Sequence, residues 1–184
     1  MEELITQINQ ICARKGRCIV AIDGRCAAGK TTLANALAQR LGANLFHADH
    51  FFLQPEQRTP QRLAQPGGNL DVERLEQEVL IPLAEGRPVC YRPYDCGTQS
   101  LGAPLTVEPK PISIVEGSYS LHPRLEGYYD LKLLLEISPA EQKQRLLARD
   151  PQKYEQFLTR WIPLEEAYFE QTNITQRCDE RRTL

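Results

Sequence analysis

The chain has 184 residues, enough for one well-packed domain and short for two. Its 22 Lys and Arg against 24 Asp and Glu argue against a general nucleic-acid binder, because phosphate contacts need a surplus of basic residues. Six scattered cysteines form no C-x-x-C pair, which favours reduced thiols and a cytoplasmic protein over a disulfide framework or a zinc site.

The first predicted element is an amphipathic helix at the N-terminus. Acidic residues occupy its first turn, and apolar residues share one helical face: Leu4, Ile5, Ile8, Ile11 and Cys12. This pattern differs from that of a signal peptide, and no apolar run approaches the length of a membrane span. We therefore expect no leader and no membrane partner.

A glycine-rich segment follows the first predicted strand. Residues 18–22 are typical of a buried strand, and residues 32–38 of a helix that ends near Gly42. Between them, residues 24–31 fit the pattern G-x-x-x-x-G-K-[ST] in full. A strand, this turn and a helix predict a loop whose amides hold phosphate oxygens. Lys30 is expected to reach the β and γ phosphates, and the Thr31 hydroxyl to bind Mg²⁺. The predicted nucleotide-binding residues are Gly24, Arg25, Cys26, Ala27, Ala28, Gly29, Lys30, Thr31 and Thr32.

The middle of the chain begins with a second predicted strand at 44–48, which runs into Asp49. Five Pro and Gly residues between 54 and 69 indicate a long loop, and long loops inside compact domains are usually functional. Helical spacing from Val72 to Leu83 follows, and Pro82 is expected to kink or shorten the last turn. Residues 88–92 and 104–108 are consistent with a hairpin.

The last third contains two more buried-looking strands, 112–115 before Glu116 and 131–137 before Ser138. Ser138 is expected to cap a helix that extends through Arg149, and 152–173 to form two helical pieces separated near Pro163. Short apolar strands alternating with helices predict an α/β fold with a mainly parallel sheet, as one domain over residues 1–184.

Two acidic residues follow strands of this sheet. Asp49 and Glu116 are expected at the edge that carries the phosphate loop, because ligands bind beyond the carboxyl ends of parallel strands. Asp49 is the candidate base for an acceptor hydroxyl, with a capping role as the alternative. Glu116 is the candidate Mg²⁺ ligand, with a solvated strand-end charge as the alternative. Asp130 precedes its strand and is discounted.

Positive charge is expected above the phosphates. Arg145 and Arg149 lie four residues apart on one predicted helix, and Lys153 and Arg160 follow. Together they could close over the γ-phosphate as a lid, although a basic helix face is also commonly just solvated.

With these residues in place, the chain resembles the uridine kinase and phosphoribulokinase family of P-loop kinases, from about Ile19 to Asp150. The resemblance rests on ordered segments: residues 24–32, 48–52, 69–71, 94–95, 114–117, and Arg145 with Arg149 and Asp150. It implies a P-loop fold, transfer of the ATP γ-phosphate to a primary hydroxyl, acceptor-site insertions at 53–70 and 88–108, and a lid at 145–162.

The resemblance also implies roles for single residues. Asp49 matches the aspartate that activates the acceptor, and Asp71 falls where nucleoside kinases bind the ribose, although it could equally cap the following helix. Tyr94 falls where the family contacts the base. Gln99 stands where uridine kinases carry a base-reading histidine, and Pro151 follows Asp150 where they carry an Arg-Gly step.

Several functions stay open at this stage. The leading prediction is a kinase that uses ATP and Mg²⁺, with uridine or cytidine as acceptor; nicotinamide riboside, pantothenate or an anionic alcohol are alternatives, the last favoured by Arg58 and Arg62 if they face the pocket. A GTPase-like switch would need an N-K-x-D segment, which is absent. A non-catalytic ATP-binding protein is a further alternative. The sequence is compatible with a homo-oligomer.

Overall fold

A parallel sheet of five strands forms the centre of the protein, in a computed structural model that describes residues 1–183. The strand order is β2-β7-β1-β8-β9, and each neighbouring pair is parallel. The α/β fold with a mainly parallel sheet is therefore confirmed. The strands of the described residues are β1 Cys18–Gly24, β2 Asn44–His47, β3 Val89–Tyr91, β4 Tyr94–Asp95, β5 Ser100–Leu101, β6 Leu105–Val107, β7 Ile112–Glu116, β8 Leu131–Glu136 and β9 Glu180–Thr183.

Helices cover both faces of the sheet. The α-helices are α1 Glu2–Lys15, α2 Lys30–Leu41, α3 Pro60–Leu63, α4 Val72–Leu75, α5 Ile81–Ala84, α6 Pro139–Arg149, α7 Tyr154–Gln156, α8 Ile162–Thr172 and α9 Ile174–Arg177. Short 3₁₀ turns are Ala48–Phe51, Pro55–Gln57, Pro123–Tyr128 and Pro151–Lys153. No helix within residues 1–183 is long and apolar enough to cross a membrane.

Two apolar layers hold the helices to the sheet. Val20 and Ile22 of β1 pack in the layer that contains helices α1 and α2, whereas Ile19 and Ala21 pack in the layer beneath α8 and the helical stretch 72–84. Both layers reach β1, because successive side chains of a strand point to opposite faces. β1 is buried along its whole length, and the phosphate loop begins at the carboxyl end of this strand.

Two glycines let backbone segments approach closely at the carboxyl edge of the sheet. Gly24 ends β1 with a φ of 146°, and a Cβ atom there would lie 2.2 Å from the carbonyl oxygen of Leu135. Gly117 follows β7 with a φ of 140°, and its Cβ would lie 2.7 Å from that of Ala48. Glycine is favoured at both positions because other residues rarely adopt these angles. The contact at Gly117 brings the segment that carries Asp49 against the end of β7.

Both interior prolines lie within continuous helical stretches, so the predicted separation of two helical pieces near Pro163 is wrong. A π turn at Glu76–Leu80 precedes Pro82, and a second at Phe157–Trp161 precedes Pro163. A proline lacks the N–H of the helical ladder and its ring crowds the carbonyl four residues earlier. The wider π turn absorbs that conflict, so the helical path continues from 72 to 84 and from 151 to 172.

The predicted hairpin is present, because β3 pairs antiparallel with β6. Along the chain, a smaller antiparallel ribbon of β4 and β5 lies between these two strands. Strand β9 was not predicted: it adds a parallel edge strand beside β8, with Leu133 opposite Glu180. Its sequence is mostly charged, so it lacks the apolar alternation by which strands are recognised.

Candidate functional site

A cavity of about 720 Å³ opens at the carboxyl ends of β1, β2 and β7, as expected for an open parallel sheet. The phosphate loop and the lid form one side, and the segments after β2 and β4 form the other. Asp49, Lys30 and Thr31 all line this one cavity. The expectation that Asp49 and the phosphate loop share an edge of the sheet is therefore met.

The glycine-rich segment forms a tight turn between β1 and α2. Gly29 adopts a φ of 94° directly before Lys30, the first residue of α2. The Lys30 ammonium donates to the carbonyl oxygens of Gly24 at 2.6 Å and Arg25 at 3.1 Å, across the mouth of the turn. Six of the predicted nucleotide-binding residues line the cavity: Cys26, Ala27, Gly29, Lys30, Thr31 and Thr32.

The other three predicted loop residues do not line the cavity. Ala28 is buried in the core, and Gly24 closes the turn against β8. The Arg25 guanidinium forms a bidentate ion pair with Glu166 and lies 5.0 Å from the Phe169 ring centroid. Arg25 therefore fastens the loop to helix α8.

Thr31 and Glu116 form the predicted metal-binding corner. The Thr31 hydroxyl lies 3.2 Å from each oxygen of the buried Glu116 carboxylate, and His47 Nδ1 lies 2.6 Å from Oε1 of Glu116. Within residues 1–183 no group of three or more His, Cys, Asp or Glu could hold a metal. The Thr31 hydroxyl and the Glu116 carboxylate nevertheless fit Mg²⁺, because this ion binds one or two protein ligands and keeps waters and phosphate oxygens.

Asp49 lies in the 3₁₀ turn after β2 and faces the cavity, where its side chain reaches solvent. Surrounding protein atoms nevertheless crowd the carboxyl group. This burial raises its pKa above the usual value, and the nearby Glu116 carboxylate raises it further, while Lys30 and His47 lower it. A raised pKa suits a group that must accept a proton near neutral pH.

The pH profile of turnover should report this environment. Asp49 accepts a proton only when ionised, so kcat/KM is expected to rise with pH through the raised pKa of Asp49. The acid limb should lie above the ordinary aspartate value of about 4. A series of kcat/KM measurements across pH checks this; an acid limb at the ordinary value would contradict it. Because His47 lowers the pKa of Asp49, a His47→Gln control should move the limb to higher pH.

The acceptor side of the cavity contains part of the predicted substrate set. Arg58 and Gln99 line it, together with Phe52, Asn69 and Cys96. The Arg58 guanidinium donates to the Tyr94 hydroxyl at 2.6 Å and the Leu53 carbonyl oxygen at 3.0 Å. Within residues 1–183, no carboxylate pairs with Arg58.

Two predicted substrate residues lie outside the cavity lining. Asp71 caps α4 through the Arg74 amide at 3.1 Å and accepts a hydrogen bond from Gln57 at 2.7 Å, so both its oxygens are engaged. These contacts match the capping alternative. Tyr94 is buried, and its hydroxyl orients Arg58. Tyr94 therefore acts on the cavity through Arg58.

Three arginines of the lid face the phosphate side. Arg145 and Arg149 of α6 line the cavity with Arg160 of the second π turn. The guanidinium of Arg149 lies 5.1 Å from the Phe157 ring centroid, and that of Arg160 lies 4.6 Å from that of Trp161. Lys153, the fourth cation of the predicted lid, pairs with Asp150 and does not line the cavity. Cations lining the cavity exceed carboxylates by two, which suits a polyanionic ligand.

Cys26 lies at the bottom of the loop. Its thiol is within 3.2 Å of the Gln142 amide, and burial raises the pKa of Cys26 to about 12. Because the thiolate is the reactive form, the thiol is held in its unreactive state. The structure therefore favours Cys26 as a small, tolerated residue of the loop over a redox role for its thiol.

Three residues of the site belong to no motif in the sequence. The first is His47, which pairs with Glu116. Glu165 accepts hydrogen bonds from the Cys26 amide and the Ser118 hydroxyl, both at 2.8 Å. Buried Asp23, one residue before the loop, accepts from the Tyr168 hydroxyl at 2.8 Å. Only His47 had a usable signal, since it ends a strand two residues before Asp49.

The fold and the loop together define a P-loop protein that binds a nucleoside triphosphate. No family model matches the chain. It is 29% identical over 147 residues to uridine kinases from two strains of Chloroflexus aurantiacus and from Chloroflexus aggregans, covering 72% of this chain and 67% of each relative.

Solved structures agree in fold. A possible uridine kinase from Bacillus stearothermophilus superimposes with a TM-score of 0.70 at 21% identity, covering 97% of this chain and 98% of that one. Phosphoribulokinase from Rhodobacter spheroides gives 0.59 at 14% identity, covering 90% and 70%. The chain thus shares the fold of these P-loop kinases and is similar in sequence to proteins named uridine kinase.

Proposed function

We propose that the protein transfers the γ-phosphate of ATP, with Mg²⁺, to a primary hydroxyl of a small metabolite, and that this acceptor is a nucleoside such as uridine or cytidine. The observation that carries the proposal is the common cavity of Asp49, Lys30 and Thr31. The similarity to proteins named uridine kinase supports the nucleoside. We also propose a cytoplasmic location for the protein, which is consistent with such a substrate.

The residues of the cavity divide the work of phosphoryl transfer. Main-chain amides of the loop and Lys30 would hold the phosphates, while Thr31 and Glu116 would hold Mg²⁺, which neutralises charge on the phosphate oxygens. Asp49 would take the proton of the acceptor hydroxyl as the bond to phosphorus forms. Arg145, Arg149 and Arg160 all line the cavity and would neutralise charge that develops during transfer.

A second candidate acceptor is an alcohol that bears an anionic group, such as pantothenate. Arg58 favours it, because a partly buried guanidinium without a carboxylate partner faces the acceptor side of the cavity. Arg62 does not contribute: it pairs with Glu73 and the Leu70 carbonyl oxygen outside the cavity. Nicotinamide riboside is a third acceptor to test.

A matched substrate pair separates these candidates. For an anionic acceptor, the wild type should prefer pantothenate to pantothenyl alcohol, and Arg58→Met should lower kcat/KM for pantothenate by about tenfold or more, the scale of a lost charge-assisted hydrogen bond. Arg62→Met is the matched control and should leave that preference unchanged. If uridine is the acceptor, the wild type should phosphorylate neither pantothenate nor pantothenyl alcohol, so Arg58→Met has no preference between them to change.

The experiment that tests the function is an acceptor panel with labelled ATP. Uridine, cytidine, nicotinamide riboside, pantothenate and pantothenyl alcohol are each incubated with enzyme, ATP and Mg²⁺, and phosphorylated products are scored by mass. Product from one acceptor supports the proposal and identifies the substrate class. ATP binding without any product across a wide panel would instead favour the alternative of a non-catalytic ATP-binding protein.

A further inference from the structure

Helix α8 is bonded to the phosphate loop by three of its side chains. Glu165 accepts the Cys26 amide at 2.8 Å, Glu166 pairs with Arg25 at 2.6 Å, and the Tyr168 hydroxyl donates to Asp23 at 2.8 Å. The three contacts involve different parts of the loop region. Glu166 pairs with a side chain, and Tyr168 bonds to Asp23, the residue before the loop. Glu165 accepts a main-chain N–H of the loop itself.

The Glu165 carboxylate accepts a main-chain N–H of the loop, the kind of donor that holds phosphate oxygens in such loops. It is only 4% exposed, and its second oxygen accepts the Ser118 hydroxyl at 2.8 Å. That hydroxyl lies 3.4 Å from the Lys30 ammonium. A carboxylate and a phosphate are both anions that accept hydrogen bonds from loop amides, so they compete for the same donors.

Charge makes the competition stronger. Glu165 lines the cavity together with Asp49 and Glu116, and it is the member of this group that lies on helix α8, directly after the lid. A triphosphate that enters the loop brings several negative charges close to a buried carboxylate, where repulsion is screened less than at the surface. Relief of this repulsion requires the Glu165 carboxylate to leave the Cys26 amide.

We propose that Glu165 is a positioning residue that competes with nucleotide phosphate for the Cys26 amide, so that phosphate binding breaks this one of the three attachments of helix α8. The inference rests on the proposed use of ATP and adds a coupling between the loop and the lid. Helix α8 continues from the π turn that carries Arg160 and Trp161, so loss of this attachment would let these residues rearrange around the phosphates. By linkage, the position of the lid then sets the affinity for ATP.

The test is direct measurement of nucleotide binding, without an acceptor. Glu165→Gln removes the charge and keeps the shape of the side chain. We expect it to bind ATP with Mg²⁺ at least about fivefold more tightly than the wild type by calorimetry, the low end of typical coupling between sites. The gain should shrink from ATP to ADP to AMP and vanish for adenosine, because it depends on phosphate charge.

Glu166→Gln is the matched control, since the neighbouring carboxylate meets the Arg25 side chain rather than a loop amide. An equal gain in ATP affinity for both variants would reveal a general charge effect and overturn the proposal. Unchanged or weaker ATP binding by Glu165→Gln would also overturn it, because Glu165 would then be a tie or a support of the loop. Thermal unfolding verifies that each variant is folded.

Ser118→Ala serves as a second variant if Glu165→Gln does not fold. It removes the other hydrogen bond of the Glu165 carboxylate and is expected to produce a smaller gain for ATP; no gain would overturn the proposal. Failure of the proposed function is visible separately. In that case the wild type and both variants would bind no ATP, or would bind it and phosphorylate no acceptor.

Discussion

An Asp49→Asn variant is expected to lower kcat by about 10²-fold or more, while its affinity for ATP stays nearly unchanged. The amide cannot accept the proton of an acceptor hydroxyl, but it preserves the shape of the cavity wall in which Asp49 lies. Steady-state turnover with the acceptor identified by the panel, together with calorimetric ATP binding, measures the two quantities separately. Normal turnover by the Asn variant would show that Asp49 is not the base.

Asp71→Asn is the control for this experiment. Asp71 is a buried aspartate from the same part of the chain, and its carboxylate caps α4 and accepts from Gln57. Asn is an equally good helix cap, but it cannot accept both hydrogen bonds, so this replacement is expected to reduce stability by about 1 kcal/mol, the usual scale of one lost hydrogen bond, and to leave turnover near that of the wild type. A large loss of turnover with unchanged stability would instead favour the ribose-binding role implied by the resemblance.

Replacing Lys30 with Met should weaken ATP binding and lower kcat by about 10²- to 10³-fold. The Lys30 ammonium lies at the mouth of the loop, where it is bonded to the Gly24 and Arg25 carbonyl oxygens and lines the cavity. Loss of a positive group that stabilises developing charge in such a site has effects of this order. Calorimetry with ATP and single-turnover measurements separate the binding part from the catalytic part.

Lys15→Met offers a matched comparison on the opposite edge of the sheet. Lys15 pairs with Asp130 at 2.6 Å, and Asp130 also accepts the Ile19 amide. This variant removes the same charge from the chain while leaving the cavity intact, so ATP binding and turnover should stay close to the wild type. Equal losses in both lysine variants would mean that net charge, rather than the loop, governs ATP affinity.

Much of the fold could be predicted because local patterns carried it. The strands at 18–22, 112–115 and 131–137 could be recognised from their apolar runs alone. Ser138 caps α6 through the Glu141 amide, as its position before a helical pattern predicts. Strand β9 could not be predicted, because its order comes from pairing with β8 rather than from its own side chains. Proline rules predicted a kinked or shortened turn at Pro82 and a separation near Pro163, whereas a π turn precedes each proline and the helical path continues.

The site was predictable as far as motifs and strand order extend. The pattern at 24–31 and the rule that ligands bind at the carboxyl ends of parallel strands brought Asp49 and Glu116 to one edge. Contacts across long stretches of chain were beyond the sequence. Cys26 and Glu165 are 139 residues apart, and no periodicity connects them. Asp71 shows the same limit, since an aspartate before a helix can serve as a cap or as a ligand until its partners are known.

The π turn before Pro163 makes the length of the lid as important as its composition. Every residue after that turn, including Glu165, Glu166 and Tyr168, owes its angular position to the wider spacing of residues 157–161. The π turn holds one residue more than an ordinary helical turn, so deleting one residue there would restore ordinary spacing and leave the later residues at nearly the same angle. An inserted residue would instead rotate the rest of the helix by about 100°, and all three attachments would turn away together. Single deletions in this stretch should therefore be far better tolerated than insertions.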